Sequence, residues 1–139
     1  MSSDTLQGNA LLHVVAAIVC DDSGRVLLSK RPAHKHQGGL WEFPGGKVEP
    51  EESSWQALVR EIQEEIGLNV VHGALFETIQ HDYPDQSVLL EFWRVDEFDG
   101  EALGMEGQMV EWARIDELHQ YSFPVANQSI VAALQKRAS

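Results

Sequence analysis

The sequence is poor in cysteine and in basic residues, and these shortages narrow the classes of protein to which it can belong. Cys20 is the only cysteine among 139 residues, so no disulfide can form within the chain, as suits a reducing compartment. Ten Lys and Arg residues stand against 22 Asp and Glu residues, a formal net charge of −12. Because phosphate contacts supply most of the affinity for nucleic acid polymers and anionic membranes attract basic segments, this charge argues against both partners. A small polyphosphate held together with a cation stays open.

Long apolar segments are absent as well. The longest largely apolar run, Leu11 to Cys20, contains His13 and is too short to cross a bilayer as a helix. The first residues, Met-Ser-Ser-Asp-Thr, lack the basic stretch of a signal peptide. We therefore expect a soluble cytoplasmic protein, a monomer or weak dimer. The length predicts a single domain over residues 11–139, preceded by a flexible leader at 1–10.

Apolar patterning predicts strands interrupted by one long helix and closed by another. Strands are predicted at Leu12–Cys20, Arg25–Ser29, Leu40–Phe43, Val70–Gln80, Ser87–Val95 and Met109–Ile115. The turn cluster Asp21-Asp22-Ser23-Gly24 predicts that the first two strands form a hairpin. Helical segments are predicted at Ser53–Gly67, Asp116–Tyr121 and Asn127–Lys136. This order favours an α/β fold with a mixed sheet packed between helices.

The helix at Ser53–Gly67 carries the clearest local signals. Ser53 and Gln56 fit a capping box, and Gly67 fits the glycine that ends a helix. One apolar stripe is formed by Trp55, Leu58, Val59, Ile62 and Ile66.

Three carboxylates lie together at one edge of that stripe. Glu61 is spaced i, i+3 from Glu64 and i, i+4 from Glu65. Each like-charge pair destabilises a helix by roughly 0.2–0.5 kcal/mol. A divalent cation bound by these carboxylates would make the same arrangement stabilising. All-oxygen ligands favour Mg²⁺ or Mn²⁺ over zinc. On helix charge alone, a solvated acidic face is the alternative.

The surrounding segment resembles the Nudix box, G-x5-E-x7-R-E-U-x-E-E-x-G-U with U aliphatic. Every fixed position is met, by Gly46, Glu52, Arg60, Glu61, Ile62, Glu64, Glu65, Gly67 and Leu68. At average residue usage such a match arises by chance on the order of once in 10⁹ trials. The match overrides the solvated-face alternative.

Most of the chain, from about Val14 to Lys136, is similar to the MutT branch of the Nudix hydrolases. The similarity lies in the segments Trp41–Lys47, Tyr83–Asp85, Gly104–Gln108 with Glu111-Trp112, and Phe123–Asn127. It implies an α/β/α sandwich and a loop-helix Nudix box. It also implies Mg²⁺-dependent hydrolysis of 8-oxo-dGTP to 8-oxo-dGMP and pyrophosphate, with Mn²⁺ as a substitute ion. Such an activity removes an oxidised nucleotide before DNA replication can use it.

The resemblance assigns the acidic residues to metal and catalysis. It implies that Glu61, Glu64 and Glu65 are metal ligands, and that Glu106 is a further ligand or general base from a distant loop. Gly45, beside Gly46, offers a backbone carbonyl to metal or an approach to phosphate; an ordinary tight turn is the alternative. We expect in-line attack of water on the β-phosphorus, with Glu61 as the base and Glu106 as the alternate.

Other charged residues complete the predicted metal- and phosphate-binding part of the site. Arg60 lies beside Glu61 and can orient a carboxylate by charge-assisted hydrogen bonds; a surface ion pair is the alternative. Glu52 either holds Arg60 or favours the helix N-terminus. Arg31 and Lys47 either offset phosphate charge or are solvated.

The resemblance makes Asn127 the residue that recognises the base, and hydrogen-bond chemistry supports it. Oxidation turns one of the two adjacent guanine acceptors into a donor, and an Asn amide offers one donor beside one acceptor. The alternative is that Asn127 caps the last helix. Phe43 is expected near the base or in the core, and Tyr83 belongs to the substrate-binding set. Gln86 departs from the pattern, because the best-known members have an arginine at this position that contacts the substrate. Gln carries no charge and cannot donate the paired hydrogen bonds of a guanidinium.

Two other functions stay open. The segment Gly39–Phe43 and the residues after Gly46 also resemble a Nudix branch that cleaves CTP and methylated dCTP. The other class is a Nudix module that senses a nucleotide without cleaving it. Such modules usually lose box glutamates, and this sequence keeps all of them.

Overall fold

The computed structural model describes residues 11–32 and 38–138, so the predicted leader at 1–10 lies outside the described residues. The strands within these ranges are β1 (Leu11–Val19), β2 (Arg25–Lys30), β3 (Trp41–Glu42), β4 (Gly45–Lys47), β5 (Asn69–Tyr83), β6 (Gln86–Asp99) and β7 (Val110–Arg114). The helices are α1 (Ser54–Ile66), a 3₁₀ helix (Ile115–Gln120) and α2 (Val125–Ala138). No helix in these ranges is long and apolar enough to cross a membrane.

The strands form two sheets, and the predicted hairpin between the first two strands is wrong. One sheet has the order β4-β1-β6-β5 and the other β3-β2-β7. The first is mixed, because β1 runs parallel to β6 and antiparallel to β4. Both edges of β1 are therefore occupied, at Val15 by Gly46 and Glu91. Among the described residues, β-pairing between the first two predicted strands is limited to the isolated bridge between Cys20, just after β1, and Val26 of β2.

Strand β1 lies between two helical layers, which confirms the predicted α/β/α arrangement. Alternate residues pack on opposite faces: Val15 belongs to the core cluster that includes Leu58 and Ile62 of α1, whereas Ile18 belongs to the cluster that includes Ile130 of α2. Residues Val15–Val19 are at most 7% exposed. A strand covered on both faces has a continuous apolar sequence, which explains why β1 shows no alternation.

Helix α1 begins and ends as its sequence predicts. The Ser53 hydroxyl accepts the N–H of Gln56 at 3.1 Å, and the Gln56 side chain accepts the N–H of Ser53 at 2.9 Å. Gly67 follows with φ +78°, and its N–H is donated to the carbonyls of Ile62 and Gln63. An N-cap of this kind stabilises a helix by about 1 kcal/mol. The caps fix the rotation and the ends of the helix that carries the predicted carboxylates.

Helix α2 begins at Val125, two residues earlier than predicted. Asn127 therefore lies in its first turn, with its N–H donated to the Pro124 carbonyl at 2.9 Å. The alternative interpretation of Asn127 as the N-cap is wrong. Pro124 stands just before the helix, and a proline ring holds φ near its helical value, so the turn starts there.

Candidate active site

Arg60 donates hydrogen bonds both to the loop before α1 and to carboxylates of the helix itself. Its Nε and Nη2 atoms donate to the two carboxylate oxygens of Glu52, at 2.6 and 3.0 Å. Nη1 donates to Glu61 at 3.1 Å and to Glu64 at 3.4 Å, and Nη2 donates to the Lys47 carbonyl at 3.0 Å. The guanidinium lowers the pKa of Glu52 to about 2, and the carboxylates raise the pKa of Arg60. Arg60 thus ties the loop before α1 to the helix.

The two glycines before α1 belong to a strand, so the tight-turn alternative for them is wrong. In β4, Gly45 pairs with Ala16 and Gly46 pairs with Val15. A Cβ on Gly46 would overlap the Glu61 carboxylate, and a Cβ on Gly45 would overlap the Val15 carbonyl. Glycine is needed here because a carboxylate and a strand both pack directly on the backbone.

Glu65 is the carboxylate with the least favourable surroundings. Burial, a hydrogen bond with Glu61 and the charges of Glu61 and Glu106 raise the pKa of Glu65. Repulsion between carboxylates in a partly buried site is relieved by a cation, and oxygen donors suit a hard divalent ion. The donor chemistry therefore fits Mg²⁺ or Mn²⁺.

The structure does not bring all the predicted ligands to one point. The Glu64 side chain is 57% exposed and contacts Arg60, and it does not line the cleft that Glu65 and Glu106 share. Over residues 11–32 and 38–138, no three Asp, Glu, His or Cys side chains already converge as a ligand set. Ligation of an ion by this group therefore requires side-chain adjustment.

Glu65 and Glu106 face each other across a cleft of about 370 Å³. The rest of its described lining is Ser29, Lys30, Arg31, Pro32, Glu42 and Gln108. The loop that carries Glu106 is attached to the end of α1, where Leu103 N–H donates to the Ile66 carbonyl and Met105 N–H to the Glu65 carbonyl, each at 2.9 Å. This attachment brings a residue distant in sequence to the helix.

Two further cavities extend this cleft into a groove. A cavity of about 180 Å³ runs from Gly45 and Gly46 past Phe43 to Asn127. Another of about 340 Å³ begins at Asn127 and continues to Tyr83. Glu42 lines all three spaces, and Arg31, which donates to it at 3.0 Å, lines two. We refer to the three spaces together as the groove, with a carboxylate end at Glu65 and an amide end at Asn127.

The amide end contains three of the predicted substrate residues, and two others lie outside the described lining. The Asn127 carboxamide makes no hydrogen bond with another described residue. Phe43 is 4% exposed and packs on Phe92 and Phe123, so it is both core and groove wall. Tyr83 lines the groove, whereas Gln86, its cross-strand partner, is exposed and absent from the described lining. Lys47 is likewise exposed and outside that lining.

Sequence reasoning missed several residues of the groove, among them Glu42, His81 and Leu90. Glu42 stands between Trp41 and Phe43 in a segment already singled out, but no spacing distinguishes its carboxylate. His81 of β5 pairs with Val88 of β6, and Leu90 of β6 pairs with Ile79 of β5. Both His81 and Leu90 line the amide end. The alternation of β5 could have suggested His81, since it is two residues from Tyr83 and so shares its face.

Known proteins resemble this chain over nearly its whole length. The 8-oxo-dGTP diphosphatase of Escherichia coli K12 is 38% identical over 125 residues, which are 90% of this chain and 97% of that protein. The CTP pyrophosphohydrolase of the same organism is 41% identical over 123 residues, 88% and 90% of the two chains. A solved MutT structure, from work on the Aliivibrio salmonicida and Vibrio cholerae proteins, has a TM-score of 0.82 and 42% identity, covering 92% of this chain and 99% of that one.

The family follows from the whole length of the match. The sequence model described as "NUDIX domain" matches residues 14–133, which include every residue of the groove described above. Nudix hydrolases generally need a divalent metal ion, in agreement with the carboxylate end of the groove. The predictions of the family and of the α/β fold are confirmed: this chain belongs to the Nudix domain family.

Proposed function

We propose that this Nudix protein hydrolyses 8-oxo-dGTP to 8-oxo-dGMP and pyrophosphate, with Mg²⁺ as the preferred ion and Mn²⁺ as a substitute. The observation that carries the proposal is the position of Asn127. Its carboxamide lies at one end of a groove whose other end holds Glu65 and Glu106. A nucleoside triphosphate has the same polarity, with a hydrogen-bonding base at one end and phosphates at the other. Relatives from Escherichia coli and Proteus vulgaris, 38% and 45% identical, are named for this reaction.

The metal would be held by carboxylates at the end of α1 and from the loop beyond β6. Glu61, Glu65 and Glu106 supply oxygens, the Gly45 carbonyl supplies another, and Glu64 is the remaining predicted ligand. When bound, the ion neutralises phosphate charge and lowers the pKa of an attacking water. Other residues of the protein must then fix the positions of these carboxylate ligands.

Glu61 is the more firmly held of the two candidate bases. Its carboxylate accepts Arg60 Nη1 at 3.1 Å and packs directly on Gly46, so two contacts fix its position. Glu106 is exposed on a loop. A general base must first be in reach of the proton it removes, and a fixed carboxylate meets that condition with less reorganisation. We therefore assign proton removal from water to Glu61 and keep Glu106 as the alternate.

Two cations are assigned to the phosphates. Arg31 lines both the cleft at Glu65 and the cavity at Asn127, so it lies where the triphosphate would join the sugar. Lys47 is exposed beside the loop that Arg60 holds, and its contact would be made from the rim. Arg31 would act through its planar set of N–H donors and Lys47 as a point charge, and both lower repulsion among phosphate oxygens and carboxylates.

Recognition of the oxidised base is assigned to Asn127, Phe43 and Tyr83. The Asn127 amide can give its donor and acceptor to a ring that offers one acceptor and one donor, as 8-oxoguanine does. Unmodified guanine offers two acceptors on that edge, so one amide group would stay unpaired, and buried unpaired polar groups are costly. The Phe43 ring closes the groove beside Asn127, and Tyr83 closes it at the open end.

Hydrolysis of CTP or methylated dCTP is the second candidate, and Gln86 is the observation in its favour. The best-known oxidised-purine enzymes carry arginine at that position, which this chain lacks. The named CTP pyrophosphohydrolase is 41% identical and the named 8-oxo-dGTP diphosphatase of the same organism 38%, so identity does not separate the two.

Release of pyrophosphate with Mg²⁺ from 8-oxo-dGTP, dGTP, dCTP and CTP tests the proposal, with kcat/KM as the quantity compared. We expect 8-oxo-dGTP to exceed every other nucleotide, and Glu65→Gln to abolish most of that turnover. Preference for a cytosine nucleotide would retain the chemistry and replace the substrate. Binding without any cleavage would indicate the sensing class instead.

A further inference from the structure

We infer that Gln108 is a positioning residue that fixes Glu106 relative to the metal-binding end of α1. Its Nε2 donates to the backbone carbonyl of Glu65 at 3.0 Å, and its Oε1 accepts the backbone N–H of Glu106 at 2.9 Å. One carboxamide therefore bridges the backbones of two carboxylates that face the same cleft. This inference rests on the proposed function, because it concerns the placement of a proposed ligand.

The loop has little else to hold it. Its apolar side chains point to solvent, with exposures of 53% for Leu103, 56% for Met105 and 60% for Met109. Ala102 packs against the core at the start of the loop, and Lys30 N–H donates to the Met109 carbonyl at its end. The residues between them are largely exposed, and such a segment opens at low free-energy cost. What attaches it to α1 are the two backbone hydrogen bonds of Leu103 and Met105 and the Gln108 bridge. Of these attachments among residues 11–32 and 38–138, only the bridge is made by a side chain, and only the bridge reaches Glu106 itself.

The loop is folded closely around the Gln108 carboxamide. Gly107 N–H donates to the Gly104 carbonyl at 3.0 Å and closes a turn with Glu106 inside it. A Cβ on Gly104 would overlap the Gln108 backbone carbonyl and would come within 3.2 Å of its Oε1. Gln108 is itself partly buried and lines the cleft with Glu65 and Glu106. A donor and an acceptor are both used, which no apolar or shorter side chain can reproduce.

The bridge explains how a carboxylate on an exposed turn can act together with ligands on a rigid helix. Groups that orient metal ligands contribute typically 10- to 100-fold to metal affinity or activity. We assign that part to Gln108, whose carboxamide is engaged by the backbone of Glu65 and of Glu106.

The test uses Gln108→Met, which preserves length and removes both hydrogen bonds, and Mn²⁺ alone as the probe. Mn²⁺ affinity is measured by electron paramagnetic resonance without nucleotide, beside kcat and KM for 8-oxo-dGTP. We expect Mn²⁺ binding to weaken by about 10- to 100-fold, kcat to fall, and KM for nucleotide to change little. Gln135→Met is the matched control, because Gln135 also donates to a backbone carbonyl, that of Ile115 at 3.1 Å, and it should leave Mn²⁺ binding unchanged.

Two further variants separate the possible failures. Glu106→Gln must weaken Mn²⁺ binding if Glu106 is a ligand; unchanged binding would refute that part of the proposed function, and the inference with it. If Glu106→Gln weakens binding and Gln108→Met leaves it within twofold of the wild type, only the positioning role falls. Should Gln108→Met fail to fold, Gln108→Asn keeps the carboxamide but is one methylene too short to reach both the Glu65 carbonyl and the Glu106 N–H. The Glu106 amide should then exchange faster than in the wild type, and wild-type protection there would overturn the bridge.

Discussion

The two ends of the groove are built in opposite ways. At the carboxylate end, Arg60 donates hydrogen bonds to four other residues, and Gly46 packs on the Glu61 carboxylate. At the amide end, Asn127 makes no side-chain hydrogen bond with another described residue, and Tyr83 is 47% exposed. The protein thus holds the carboxylates proposed for the chemistry in place through its own contacts. The groups proposed to recognise the base are left available for hydrogen bonds and contacts with a ligand.

The sharpest test of this contrast lies within one helix. We expect Glu65→Gln to lower kcat by roughly 10²–10³-fold, the range for losing one well-placed electrostatic contact in an active site, because Glu65 faces the cleft. Glu64→Gln should cost at least about tenfold less, since Glu64 is 57% exposed and turned to Arg60. Steady-state kinetics with 8-oxo-dGTP checks both. Equal losses would show that Glu64 reaches the metal by a rearrangement of this end.

Asn127→Ala tests the amide end. Two hydrogen bonds of about 0.5–1.5 kcal/mol each correspond to a loss of roughly 5- to 150-fold in kcat/KM for 8-oxo-dGTP. The loss for dGTP should be smaller, because only one of those bonds forms with it. The ratio of the two kcat/KM values is the measurement, and a ratio unchanged from the wild type would remove Asn127 from base recognition.

Glu52→Gln tests whether the order at the carboxylate end matters for catalysis. Gln cannot match the bidentate carboxylate, so Arg60 should shift away from Glu61, and kcat should fall by about 10- to 100-fold, as when a group that orients a ligand is lost. The KM for nucleotide should stay near its original value. A variant as active as the wild type would mean that Glu61 is held well enough by Gly46 alone.

The same ion pair predicts a small dependence of stability on pH. Because Arg60 lowers the pKa of Glu52 from 4.5 to about 2, the stabilisation is complete above about pH 4.5 and is lost as pH falls towards 2. The difference in free energy of unfolding between wild type and Glu52→Gln, from urea titrations, should therefore shrink over that window. Asp116→Asn is the control, since its pair with Arg114 is 57–64% exposed and should contribute less. A constant difference would contradict the assignment.

The sequence predicted what local spacing determines. The caps of α1 at Ser53 and Gly67 depend on residues three or four positions apart, and both are present. Strand pairing between distant segments does not follow from local spacing. The turn after β1 predicts that β1 and β2 pair, whereas β4 and β6 occupy the edges of β1. The start of α2 and the groove position of Glu42 also depend on packing among distant segments. The joint contacts of Gln108 could not be read from spacing, because they connect residues 65, 106 and 108.

The long hairpin of β5 and β6 makes the open end of the groove a part of the molecule that can vary independently of the carboxylate end. Of its paired tip residues, Tyr83 lines the open end of the groove and Gln86 lies outside the described lining. Both are exposed, so substitutions there cost the fold little, typically within about 0.5 kcal/mol. Substitutions at the tip can therefore change the outer contacts of the groove and leave the carboxylates of α1 intact. Two Escherichia coli relatives of nearly equal similarity to this chain are named for a purine nucleotide and for a pyrimidine one.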